Sequence, residues 1–375
     1  MISAAKSIIR QLILCGVAVL AAACGAKSPA GDAPVDFPLP EIRSVWDHKE
    51  FLLKGQPIIF EADEPNLRNY IRSHVLSKLL AGDFAEIERL ATIYRDGMRT
   101  PSGIEKLAVL YWSFTDITIV DRAGVREETL KLFDQWMAQY PQSPTPYIAA
   151  AHLFDTWARS IGCFCRDDTP AERVVIQDKL DRALSFLTGK WEIVRRDPHS
   201  HAMKIQVLAA GAKSAETAEE AFEAARREHS GRYAIYFNAL STAPEMFSSP
   251  ASAGAFTEKV ANSLAETMGA AGDVGYARVW WSGDHYRQVS YLFSRGMVNW
   301  PRIRNGFFQL IGEYPEPWNF NAFARFSCIV GDVATLRRLE PAVRKYPIDQ
   351  IWPSDQREYC LLFAEAQTED VPEVQ

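Results

Sequence analysis

A surplus of positive charge is missing from this sequence. Lys and Arg number 41 against 47 Asp and Glu, a formal net charge of −6. The basic patch that DNA, RNA or an anionic lipid surface calls for is therefore not favoured. Long apolar runs are missing too. The longest, Leu12 to Ala23, has about 12 residues, whereas a helix needs roughly 20 to cross a bilayer core. Strand patterning is scarce: no alternating β-branched run exceeds Pro57-Ile58-Ile59-Phe60-Glu61. No phosphate loop, dinucleotide fingerprint, nucleophile elbow or H-E-x-x-H zinc helix occurs, so no catalytic class and no cofactor is indicated.

What is present begins with a leader. Lys6 and Arg10 supply a positive end, no acidic residue precedes Asp32, and the short apolar run ends at Cys24. That order is a signal peptide rather than a membrane anchor. Leu20-Ala21-Ala22-Ala23-Cys24-Gly25 resembles the lipobox of bacterial lipoproteins. The resemblance implies cleavage after residue 23, lipidation of Cys24 and acylation of its new amino group, which together anchor the chain in a membrane. Gly25, where an Asp would favour retention in the inner membrane, implies the periplasmic face of the outer membrane. Residues 25–40 hold four Pro and no apolar periodicity. They read as a flexible tether with a reach of about 20–25 Å.

After residue 64 the helical period dominates. Leu67, Tyr70, Ile71, His74, Val75 and Leu79 recur at three- and four-residue steps, the stripe of an amphipathic helix. Gly82-Asp83 follows, a left-handed residue past the helix end and then a carboxylate placed to cap the next helix. Phe84, Ile87, Leu90 and Ile93 carry the second stripe. The device repeats at Gly331-Asp332. Tyr140-Pro141, Asp197-Pro198 and Tyr314-Pro315 each end one helix and admit another. Thr169-Pro170 opens a long helix, and Asp355 or Ser354 caps the last. These signals predict an all-α body with about twelve to fourteen helices. It divides as leader 1–23, lipidated Cys and tether 24–40, an irregular lead-in 41–63, a helical domain 64–366 and a disordered tail 367–375.

Helical hairpins joined by Tyr-Pro and Gly-Asp resemble tetratricopeptide-like repeats, best over 314–344 and over 140–161 with the preceding helix. Pro141, Pro198 and Pro315 stand 57 and 117 apart, not at the family's period of about 34. The resemblance thus implies degenerate hairpins in a right-handed solenoid or a compact α-α superhelix. Segments 76–116, 140–160 and 300–340 also resemble a bacterial family of helical proteins without an assigned activity, which supports the fold and adds no site.

Four cysteines follow Cys24. Cys163 and Cys165 are too close for a self-paired disulfide, and neither sits among metal ligands at zinc-finger spacing. Cys328 reads as a small buried apolar residue. The pairing of Cys163, Cys165, Cys328 and Cys360 is open. His199-Ser200-His201 sends its rings to different sides, and a metal would need a carboxylate or third His nearby. No metal site is predicted, and both rings read as first-turn residues in solvent.

The aromatic stretch 276–300 is the main binding candidate, through Trp280, Trp281, Asp284, His285, Tyr286 and Arg287. Aromatic and Arg side chains dominate binding hot spots, and packing between helices would divide Trp280 and Trp281 between core and rim. Trp318, Asn319 and Asn321 form a second candidate, since Asn on an inner helix can clamp a peptide backbone. The leading expectation is a membrane-anchored periplasmic scaffold for a protein or peptide partner. A cell-envelope enzyme using 276–300, with acid–base work by Asp284 and His285, is one alternative. An immunity or inhibitor protein against a secreted toxin is the other.

Overall fold

The computed structural model describes residues 37–115, 123–162, 168–241, 250–285, 298–353 and 355–366. Cys24, the leader, Cys163, Cys165, Tyr286, Arg287 and the tail lie outside them. The lead-in carries paired strands. β1 (Trp46–His48) runs antiparallel to β4 (Phe60–Ala62), and β2 (Leu52–Leu53) to β3 (Gln56–Pro57). Lys54 and Gly55 both hold positive φ, 50° and 77°, the two left-handed residues that a tight hairpin turn requires. Phe51 docks the hairpin onto the first helix, edge-on to Tyr70 at 4.7 Å.

The rest is helical. α1 (Glu64–Leu80) and α2 (Phe84–Arg95) form the expected hairpin, with Leu67, Ile71, Val75, Leu79, Phe84, Ile87 and Leu90 buried. Gly82 has φ +69° as its turn demands. Asp83, however, does not cap α2. Its carboxylate pairs with Lys78 Nζ at 2.7 Å instead, an ion pair five residues back that outcompetes the amide. Next come α3 (Lys106–Trp112), α4 (Ala123–Gln139), α5 (Thr145–Ile161) and α6 (Pro170–Thr188). Thr169 and Glu172 cap α6 reciprocally, which satisfies two orphan amides at once.

A short α7 (Trp191–Val194) leads to α8 (Pro198–Ala209), α9 (Ala218–Glu228) and α10 (Tyr233–Ser241). Then follow α11 (Pro250–Met268), α12 (Gly272–His285), α13 (Trp300–Glu313), α14 (Pro317–Val330), α15 (Val333–Lys345) and α16 (Gln356–Ala366). Chain neighbours pack together: α5 on α6, α8 on α9, α12 between α11 and α13, and α14 on α15. Gly306 lets α12 and α13 nearly touch, because a Cβ there would strike the Asp273 carbonyl. Gly331 ends α14 at φ +75°, and the Asp332 side chain accepts from Thr335 N–H at 3.0 Å.

Two further features depart from the sequence reading. Cys328 is bonded to Cys360, tying α14 to α16 with Cα atoms 5.7 Å apart. Helix packing brings the two thiols into reach across 32 residues, so Cys328 is not a free buried thiol. His199 and His201 are buried, at 3% and 4% exposure, rather than in solvent. α8 is an inner helix, so even its first turn is covered.

The row of hairpins also closes on itself. The Ser102 carbonyl accepts from Arg278 Nη2 at 2.6 Å and from Asn319 Nδ2 at 3.3 Å, 176 and 217 positions along the chain. Arg232 Nη2 donates to the Arg95 carbonyl at 2.8 Å across 137 positions. The first third of the body is thereby joined to the last.

Candidate functional site

That closure is built around a tight loop. Thr100 N–H donates to Ile104 O at 2.7 Å and Gly103 N–H to Thr100 O at 2.8 Å. Gly103 sits at φ +86°, and a Cβ there would reach 2.9 Å from the Tyr314 ring and nearer still to the Arg278 guanidinium. Only glycine meets both conditions. Glu64, in the first turn of α1, braces the loop. Its carboxylate accepts from Thr100 Oγ1 and Ser102 N–H, each at 2.8 Å, and from Arg68 Nε at 2.5 Å.

Glu316 occupies the same buried region with the opposite outcome. It is the N-cap of α14, accepting from Trp318 N–H at 2.6 Å through Oε2. Its Oε1 has no partner among the described residues. Burial, and then the charge of Glu64, pushes its pKa up to about 8. Two carboxyl groups therefore share one neighbourhood, and Glu316 keeps its proton near neutrality.

Arg278 completes the assembly from α12. It is fully buried, which disfavours its charged form. Nη2 reaches the Ser102 carbonyl, while Nε and Nη1 have no hydrogen-bond partner among the described residues. The rings of Tyr233 and Tyr314 lie 5.2 and 5.7 Å from its guanidinium carbon. Cation–π attraction thus replaces part of the lost hydration. Asn319 donates to Tyr314 O at 2.9 Å and to Ser102 O, yet its own Oδ1 is also without a partner. Polar atoms left without partners in one buried cluster are uncommon in folded proteins.

The two aromatic candidates of the sequence meet at the rim. Trp281 and Trp318 are half-buried, with ring centroids 6.3 Å apart in an edge-on arrangement. Arg68 lays its guanidinium 4.3 Å from the Trp318 centroid while it holds Glu64. Trp280 behaves differently: it is fully buried, tilted against Tyr276 at 6.3 Å. Asp284 and His285 end α12, but their side chains, like Tyr286 and Arg287 as a whole, lie outside the described residues. Asn321 clamps backbone, as expected of its type, but the backbone is its own. Nδ2 donates to Pro317 O and Tyr346 O at 2.8 and 2.9 Å. Oδ1 accepts from Ile348 N–H at 3.2 Å and Trp352 Nε1 at 2.9 Å.

A second buried assembly joins α5 to α8, and the Nδ1 atoms of both its imidazoles are likewise without a partner among the described residues. His152 and His199 share a 2.9 Å contact between Nε2 atoms and stack beside Tyr111. Burial holds both pKa values near 3, so the pair is neutral and shares one proton between the nitrogens. Tyr111 Oη and Arg95 Nε both donate to Asp197 Oδ2, at 2.7 and 2.6 Å, while Oδ1 caps α8. This network fixes α2, α3, α5 and α8 together.

Glu64, Arg68, Ser102, Gly103, Arg278 and Glu316 escaped the sequence reading. One signal was available: Arg278 interrupts an apolar stretch between Ala277 and Val279, and such an Arg is buried only with a purpose. No protein-family model matches the chain, and neither the curated proteins nor the solved structures contain a match.

Proposed function

We propose that this chain is a lipid-anchored, tetratricopeptide-like helical scaffold that holds a protein or peptide partner at the Trp281–Trp318–Arg68 face. One observation carries the reading. Two half-buried indoles from separate helices stand beside a guanidinium, the residue types that supply most binding energy at interfaces. The orphaned atoms of Glu316, Asn319 and Arg278 lie behind them. Sequence support for the anchor is the lipobox resemblance at Leu20–Cys24, and for the outer membrane the Gly25 that follows it. The Cys328–Cys360 disulfide is at home in an oxidising compartment such as the periplasm. No described helix is long and apolar enough to cross a membrane.

The enzyme alternative rests on Asp284 and His285, whose side chains lie outside the described residues. The nearby carboxyls of Glu64 and Glu316 are both 0% exposed, so no substrate atom reaches either one in this conformation. Glu64 orders the loop at residues 100–105. Nothing in the structure favours the immunity alternative over the scaffold.

Site-specific photo-crosslinking in cells tests the binding face. A crosslinker at position 281 or 318 is expected to trap one reproducible partner, and one at the exposed Val174 is not. Equal yields from all three positions, or none, would refute the binding face. The anchor has its own test: Cys24→Ala should leave the membrane fraction, and retention there would count against lipidation.

A further inference from the structure

Away from that site, two imidazoles converge on one backbone oxygen. His201 stands near the start of α8, and His229 directly follows α9. Each brings Nε2 to 3.3 Å from the Arg195 carbonyl, which closes α7. Glu228 Oε2 lies 3.7 Å from His201 Nε2. The two imidazole rings meet edge to face at 4.9 Å. The three side-chain donor atoms all fall within 4.8 Å of one another.

We propose that His201, His229, Glu228 and the Arg195 carbonyl form a binding site for a divalent transition metal of the zinc type. The spacing is the first argument. Ligands about 2.0–2.1 Å from a tetrahedral ion stand roughly 3.3–3.4 Å from each other. Three of the six donor–donor distances, 3.3, 3.3 and 3.7 Å, lie near that edge length, and modest rotations of the imidazoles and carboxylate bring in the rest from within 4.8 Å. Donor chemistry is the second argument. Two imidazoles with one carboxylate suit zinc and its neighbours, whereas calcium and magnesium prefer oxygen alone.

Surrounding groups support the same use. Glu228 Oε1 accepts from Arg195 Nη1 at 2.9 Å, so the carboxylate is oriented with Oε2 turned toward the imidazoles, as outer partners orient metal ligands. Trp191 covers His201 edge-on at 5.0 Å and excludes water from one side. Two cations stand near, and both are already matched. Arg195 pairs with Glu192 and Glu228, and Lys204 pairs with Glu216 at 2.6 Å. A bound ion would clamp the joint between α7 and α8 to the end of α9. The requirement set by the sequence, a carboxylate and another His beside one of the two rings, is met by residues 27 and 28 positions beyond His201.

The test uses the whole mature protein, stripped of metal by a chelator and titrated with Zn2+ against a chromophoric competitor. One equivalent should bind, and Co2+ in its place should give the intense visible absorption of four-coordination. His229→Gln and Glu228→Gln should each weaken binding by at least about 10-fold, with unchanged circular dichroism showing that the fold persists. His74→Gln, at a distant paired imidazole, should bind as the parent does. An equivalent that survives both substitutions, or no binding by the folded parent, would overturn the proposal.

Discussion

Asn319 and Asn321 stand two residues apart on α14 and face different worlds. Asn321 makes four hydrogen bonds to its own chain, joining α14 to the segment at 346–352. Asn319 reaches two carbonyls with its amide and leaves its oxygen without a partner, beside Glu316 and Arg278. A satisfied buried network locks one geometry, while a partly satisfied one keeps polar capacity in reserve. The Asn321 side of α14 is therefore fully satisfied architecture, whereas the Asn319 side is equally buried but only partly satisfied.

The largest break in that contrast should come from Asn321→Ala. It strands two carbonyls, an amide and an indole N–H, at a cost of roughly 3–5 kcal/mol. Asn319→Ala should cost less, about 1–2 kcal/mol. Urea unfolding of both variants measures the difference, and equal losses would erase the distinction. Second comes the disulfide on the locked side. Cys360→Ser opens a loop of 32 residues, for which chain entropy gives roughly 3–4 kcal/mol. Its denaturation midpoint, set against the reduced parent, checks this; the two should coincide.

Glu316 sharpens the other side. Its folded-state pKa of about 8 lies above the ordinary 4.5, so between those values the unfolded chain loses a proton that the folded chain keeps. The associated stability is fully present below pH 4.5 and falls as pH rises to about 8. At about 1.4 kcal/mol per unit the fall is at most about 5 kcal/mol. Glu316→Gln, which retains an oxygen for the Trp318 amide, should remove this phase and exceed the parent in stability at pH 8. Parallel pH profiles for the two proteins would show that the carboxyl is ionised throughout. The smallest effect on stability belongs to Trp318→Ala, under about 1.5 kcal/mol at a half-buried rim, although it should abolish crosslinking from position 281.

Local chemistry made the helices readable. The Thr169-Pro170 start, the Asp197-Pro198 start and the Gly331-Asp332 joint each lie within two residues, and each formed as its sequence implied, Thr169 gaining a reciprocal partner in Glu172. Asp83 shows how this can miss, since Lys78 on the preceding helix took the carboxylate. The site itself was only half legible. Trp281 and Trp318 were recognised as aromatic outliers, but nothing in either segment says that they meet. Glu64, Ser102 and Arg278 come together across distances in sequence that no periodicity spans. Likewise Cys328 and Cys360, or His201 and His229, are ordinary residues until helix packing makes them neighbours.

The bond between the Ser102 carbonyl and residues 176 and 217 positions later has an evolutionary corollary. An open row of hairpins can lengthen or shorten by whole units, because each unit meets only its neighbours. Here a duplicated hairpin would carry Arg278 and Asn319 away from the loop they must reach. Growth of this body by repeat duplication is thus penalised at a distance, and its number of hairpins is held by the oxygen of a single serine.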